Sequence, residues 1–154
     1  MEIVEVSSGQ VHQIVVGRVD KKEVKYLTKA RYWFSWRAVA KDFPLFKVTI
    51  AGQDEILGVV ALAHYPEEKR IEIKLLASLK DSVGTARKYD GIAASLIAFA
   101  CSEALKNYGE MACVSLVPKT VLKSHYMEKY GMLDAGLQLF LAGRPLFDWA
   151  KKNL

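Results

Sequence analysis

The stretch that most constrains the fold lies in the middle of the chain. Residues 70 to 79, RIEIKLLASL, alternate Ile71, Ile73 and Leu75 with Glu72, Lys74 and Leu76, as a strand requires. A polar loop, KDSVGTARKYD, follows. Gly91 to Asn107 then places Ile92, Leu96, Ile97, Ala100, Ala104 and Leu105 on one broad helical face, with Ser95, Ser102, Glu103 and Lys106 opposite. Gly109 supplies a stop after Tyr108, and Met111 to Val117 is almost wholly apolar, the pattern of a central strand, ended by Pro118. Strand, long helix and strand in that order imply a βαβ crossover.

The flanking sequence adds to this unit on both sides. Val11 to Val19 is short and β-branched and reads as a first strand. Glu23 to Phe43 reads as a helix, because Tyr32, Trp33, Trp36, Val39 and Ala40 form an i, i+3, i+4 stripe that ends before Pro44. Phe46 to Ala51 and Glu55 to His64 read as antiparallel strands turning at AGQD, and PEEK at 66 to 69 is a second turn. Thr120 can cap a helix running to about Lys129 and closed by Gly131. Leu137 to Ala142 is a last strand, and Pro145 to Lys152 a terminal helical segment. The expected class is α/β, a mixed α+β sheet with an antiparallel meander ahead of the crossover, in a single domain over 1–154.

Composition narrows the function classes. A chain of 154 residues, 51% apolar and 25% charged, can bury about 70% of its extended-chain surface and needs no disulfide scaffold. Cys101 and Cys113 sit in apolar stretches outside any CxxC or Cys/His cluster, so buried reduced thiols and no metal are expected. MEIVEVSSGQ lacks the basic start and apolar core of a secretory signal, and the run Ile92 to Cys101 is too short to span a bilayer; a cytoplasmic protein with no membrane partner is expected. Lys and Arg total 22 against 17 for Asp and Glu, a net charge of +5, which favours an anionic partner or a solvated basic surface.

The stretch RKYDGIAASL at 87 to 96 opens the long helix with unusually small residues. A helix start presents backbone N–H groups without intrahelical partners at the positive end of the dipole, and an anion is attracted there. A diphosphate can reach those amides only past small side chains, which Gly91, Ala93 and Ala94 provide, while Arg87 and Lys88 bring charge to the rim. Close packing against a sheet would select the same small residues. There is no Gly-Lys-Ser/Thr and no set of three spaced glycines, so this is neither a Walker loop nor a dinucleotide fingerprint.

Lys88-Tyr89-Asp90-Gly91-Ile92-Ala93 resembles the acetyl-CoA signature of the GNAT acyltransferase superfamily, Arg/Gln-x-x-Gly-x-Gly/Ala, at the start of a long helix after a strand. The similarity extends over about residues 55 to 142. The N-terminal third is similar in element order alone. Lys88 departs from the usual Arg/Gln, and Ala93 stands where Gly is more frequent. The resemblance implies a V-shaped, mostly antiparallel sheet flanked by helices, with acetyl-CoA as cosubstrate. Its diphosphate would lie on Arg87, Lys88, Tyr89, Asp90, Gly91, Ile92, Ala93 and Ala94, and its pantetheine arm would pair with the backbone of Leu75, Leu76 and Ala77 near a bulge at Leu76 to Ser78.

The resemblance also implies the catalytic groups. Glu72 stands where a strand carboxylate often serves as base, though beside Lys74 it also reads as an ion-paired surface group. The acid is typically a Tyr in the helix after the next strand: counting back from Gly131 lands on Met127, counting forward lands on Tyr126 from Lys119 or on Met127 from Thr120, and the pattern at 119 to 126 favours Tyr126. His125 and Tyr130 read as surface or packing residues. Tyr32, Trp33 and Trp36 sit where this superfamily builds its acceptor wall. Four aromatics in five positions, 32 to 36, cannot all face inward, so one or two line a pocket or a subunit contact, which is compatible with a homodimer. The expected function is acetyl transfer to the primary amine of a small molecule or protein by direct attack. Two alternatives stand beside it: a toxin-type enzyme acting on aminoacyl-tRNA, and a non-catalytic acyl-CoA-binding domain.

Overall fold

The structure, a computed structural model, describes residues 1–84, 86–118 and 123–153. Its strands are β1 (Glu2–Glu5), β2 (Val11–Arg18), β3 (Leu45–Ile50), β4 (Gly58–Tyr65), β5 (Arg70–Ser78), β6 (Tyr89–Asp90), β7 (Cys113–Leu116), β8 (Leu133–Ala135) and β9 (Gln138–Ala142). Its helices are α1 (Lys29–Tyr32), α2 (Trp36–Ala40), α3 (Ile92–Tyr108), α4 (Lys123–Tyr130) and α5 (Gly143–Lys151). Among the described residues the strands follow the hydrogen-bonded order β6-β1-β2-β3-β4-β5-β7-β9-β8. β5 and β7 pair in parallel, from Arg70 opposite Cys113 to Ile73 opposite Leu116, and the pairs β1–β2, β2–β3, β3–β4, β7–β9 and β8–β9 are antiparallel. The fold is therefore the mixed α/β sheet with a βαβ crossover at β5-α3-β7. No helix among the described residues is long and apolar enough to cross a membrane.

The chain divides into two compact units. The first comprises Met1–Ala61 and Leu75–Leu96, and its core includes Ile3, Trp36, Val48, Leu57, Val60, Ile92 and Leu96. The second comprises Leu62–Lys74 and Ile97–Leu154, with Leu62, Ile71, Ile97, Val114, Leu139, Leu141 and Leu146 buried.

Three departures from the sequence reading have physical causes. The helix expected over Glu23 to Phe43 is broken: a 3-10 turn at Val24–Tyr26, α1, and α2 are separated at Trp33, whose φ is 75°. Tyr32 and Trp36 are buried on either side of the break, while Trp33, at the break itself, is exposed. Short strands β1, β6 and β8 carry too few residues for alternation to show. The third departure is the start of α3 at Ile92, with Gly91 before it at φ 104°, a conformation a side chain disfavours. The helix closed by Gly131 is present as α4: Gly131, at φ 71°, donates its N–H to the Met127 carbonyl at 3.1 Å. The expected cap at Thr120 lies outside the described residues.

Candidate active site

The small-residue stretch belongs to the first unit. The amides of Ile92, Ala93 and Ala94 have no hydrogen-bond partner among the described residues, as the first turn of a helix requires, and α3 then runs for 17 residues behind them. Ser95 donates both its N–H (2.9 Å) and its hydroxyl (2.7 Å) to the Gly91 carbonyl, which fixes the turn from which those amides project. Ala93 and Ala94 are half-buried and present nothing beyond a methyl group. A diphosphate fits such a start, because free donors and the helix dipole meet without a side chain in the way.

The other residues of this stretch divide between rim and support. Arg87 is tied to the Gly84 carbonyl (3.2 Å) and to Asp90 (3.4 Å), and Lys88 is exposed, so both offer cationic groups at the surface. The Tyr89 and Ile92 side chains are core: Tyr89 packs edge-on against His12, and Ile92 is buried beside Gly58.

Gly58 on β4 has a packing role that no sequence pattern marks. A Cβ there would stand 2.6 Å from the Ile92 side chain, 3.2 Å from that of Leu96 and 3.2 Å from the Ala77 carbonyl, so only glycine allows the start of α3 to approach the strands this closely. The turn glycine before β4 was legible; a glycine inside a strand carried no pattern to mark it. Leu75 and Leu76 are half-buried and Ala77 buried. The parallel ladder of β5 ends at Ile73, yet β5 runs on to Ser78, so Leu75, Leu76 and Ala77 lie beyond that ladder.

The aromatic segment is also in the first unit, and it corrects two expectations. Tyr32 is buried and donates its hydroxyl to the Ile56 carbonyl at 2.8 Å; Trp36 is fully buried and donates its indole N–H to the Tyr32 carbonyl at 2.9 Å. Both are core groups with satisfied polar atoms. Trp33 alone of the three stands out, 40% exposed, with its indole N–H bonded to the Ser78 carbonyl at 2.8 Å and the Lys80 ammonium 4.8 Å from its ring centroid. A tryptophan at positive φ is strained, and its tie to the end of β5 helps to hold it there.

The second unit holds Glu72 and Tyr126. Glu72 is 8% exposed and accepts hydrogen bonds from Arg70 (3.0 Å) and Lys74 (2.7 Å). Arg70 also reaches Ser115 Oγ (2.8 Å), pairs with Glu68 (2.6 Å) and lies over the Tyr65 ring. Burial by itself pushes the Glu72 carboxyl up, but the bonds from Lys74 and Arg70 outweigh it and hold the group below the usual carboxylate value. Glu72 is thus a firm anion and a weakened base.

Tyr126 is half-buried on α4, its ring 5.6 Å from that of Tyr130 and 5.8 Å from that of His125. Its hydroxyl has no hydrogen-bond partner among the described residues, and burial raises its pKa above that of an ordinary tyrosine. It is a phenol held in the acid form by burial. Tyr130 is buried and accepts the Trp149 indole N–H at its carbonyl (2.9 Å), while His125 is exposed. Cys101 is buried with its thiol pushed up to about 12, chiefly by desolvation, and Cys113 is half-buried and also raised.

Solved structures carry the same arrangement of elements. Ard1 from Thermoplasma volcanium superposes with a TM-score of 0.61 at 14% identity, covering 84% of this chain and 97% of its own. A GNAT family acetyltransferase from Elizabethkingia anophelis with acetyl-CoA bound gives 0.59 at 13%, covering 84% and 98%. This chain has the GNAT fold. A Bacillus subtilis acetyltransferase in complex with CoA shares it at a TM-score of 0.55 and 16% identity, covering 85% and 98%. No family model matches the sequence, and no curated protein does. At such identities the GNAT likeness is one of fold, so the chemistry rests on the residues above.

Proposed function

We propose that the chain is an N-acetyltransferase that uses acetyl-CoA to acetylate a primary amine by direct attack. The observation that carries this reading is the start of α3, where three amides without a partner among the described residues follow a glycine at φ 104° in a chain with the GNAT fold. Acetyl-CoA supplies an activated thioester when bound. The amides of Ile92, Ala93 and Ala94 hold its diphosphate, with Arg87 and Lys88 adding charge at the rim. The backbone of Leu75, Leu76 and Ala77 binds the pantetheine arm, and an amide near Leu76 steadies the developing oxyanion.

Tyr126 donates its phenolic proton to the departing thiolate sulfur. Its raised pKa supports that role, since the group is fully protonated near neutral pH. The attacking amine must be neutral, and Glu72, already bonded to two cations, suits the anionic end of a water relay better than direct proton abstraction. Trp33 is the member of the aromatic segment whose exposure suits contact with the acceptor.

The test is release of free thiol from acetyl-CoA by the purified protein against a panel of small amines, peptide and protein amines, and charged tRNA. Turnover with an amine is the expected result. Turnover with charged tRNA alone would assign the toxin-type acceptor, and CoA binding without turnover on any acceptor would overturn the enzyme reading in favour of a binding domain.

A further inference from the structure

The segment just before the proposed diphosphate site is clamped from two sides within the first unit. On one side the Lys88 N–H bonds the Asp81 carbonyl at 2.9 Å. On the other, β6 pairs antiparallel with β1, Val4 opposite Asp90 and Glu5 opposite Tyr89, and the Val6 N–H donates to the Lys88 carbonyl at 2.9 Å. A Cβ built on Gly91 would meet Ile3 at 3.6 Å and the Glu2 carbonyl at 3.8 Å, so β1 also backs the residue that opens α3. His12 joins the two strands through side chains: its Nε2 lies 3.1 Å from Glu5, and its ring meets the Tyr89 ring edge-on.

A two-residue strand such as β6 has little order of its own. What holds it is β1, itself paired along β2. We infer that β1 is the positioning element of the cofactor site: its ladder to Tyr89 and Asp90, extended by the Val6–Lys88 bond at its end, fixes the direction in which the Ile92, Ala93 and Ala94 amides project. This rests on the reading of that helix start as the acetyl-CoA diphosphate site.

The Val6–Lys88 bond can be removed alone. Val6 is exposed and opens a turn that the Gly9 N–H closes on the Glu5 carbonyl, a position proline tolerates, so Val6→Pro deletes the donor and Val6→Ala keeps it. Calorimetric titration of acetyl-CoA should give Val6→Ala a Kd within about twofold of the wild type, and Val6→Pro one about three- to tenfold weaker, the range for one backbone hydrogen bond. A purely structural loss that left most molecules folded would leave the Kd unchanged. In the wild type, saturating acetyl-CoA should slow hydrogen exchange at the Val6 amide, because opening the clamp and losing the ligand are linked. Equal Kd values for the two variants, or, should Val6→Pro not fold, an unchanged Val6 exchange rate, would overturn the role of β1 and leave the cofactor reading standing. No binding by the wild type would remove both.

Discussion

Burial holds the Tyr126 hydroxyl protonated past the ordinary tyrosine value of 10.0, while Lys74 and Arg70 hold Glu72 ionised below the ordinary glutamate value of 4.5. Tyr126→Phe should lower turnover about a hundredfold, the scale of a lost general acid, and leave the acetyl-CoA Kd unchanged. The rate should also hold through the alkaline range until the pH exceeds about 10, since a raised pKa delays loss of the acidic proton. For Glu72 the sign runs the other way: a depressed carboxylate pKa stabilises the fold above 4.5, and that stability is lost as the pH falls through the folded value. Glu72→Gln should therefore cost about 1–3 kcal/mol in urea unfolding near pH 7, with the gap to the wild type narrowing in acid. The positions of these two residues on a strand and a helix were legible in the pattern. Their electrostatics were not, because the partners of Glu72 include Arg70 and its own bond to Ser115, 45 positions away on another strand.

Elements show where local pattern suffices and where tertiary packing overrides it. The crossover was read almost to the residue, 70–79 against Arg70–Ser78 and 91–107 against Ile92–Tyr108, because long periodic segments carry their own signal. Over 23–43 the stripe of Tyr32, Trp33 and Trp36 satisfies helical spacing, yet tertiary bonds break the helix, with Trp33 tied to the Ser78 carbonyl and Tyr32 to that of Ile56. Two of three expected acceptor-wall residues were lost to the core for that reason. The approach of α3 to β4 and β5 depends on Gly58. Gly58→Ala should destabilise by about 1–3 kcal/mol in chemical unfolding, because the Ala77 carbonyl is backbone and cannot yield as the Ile92 side chain can.

For the molecule as a whole, the fold class was readable from element order, while strands β1, β6 and β8 emerged only from pairing with neighbours. A net charge of +5 is in keeping with a polyanionic cosubstrate without selecting one. Ligand binding stabilises the folded state by mass action, so acetyl-CoA at a hundred times its Kd should contribute about 2.7 kcal/mol and raise Tm by roughly 5–10 °C for a chain of this size. The central claim is narrower, that the diphosphate rests on the first amides of α3. Its most direct test is an NMR titration with acetyl-CoA following the backbone amides of Ile92, Ala93 and Ala94. These three resonances should shift together and saturate at one equivalent; bound acetyl-CoA that leaves them unmoved would rule out a diphosphate on these amides.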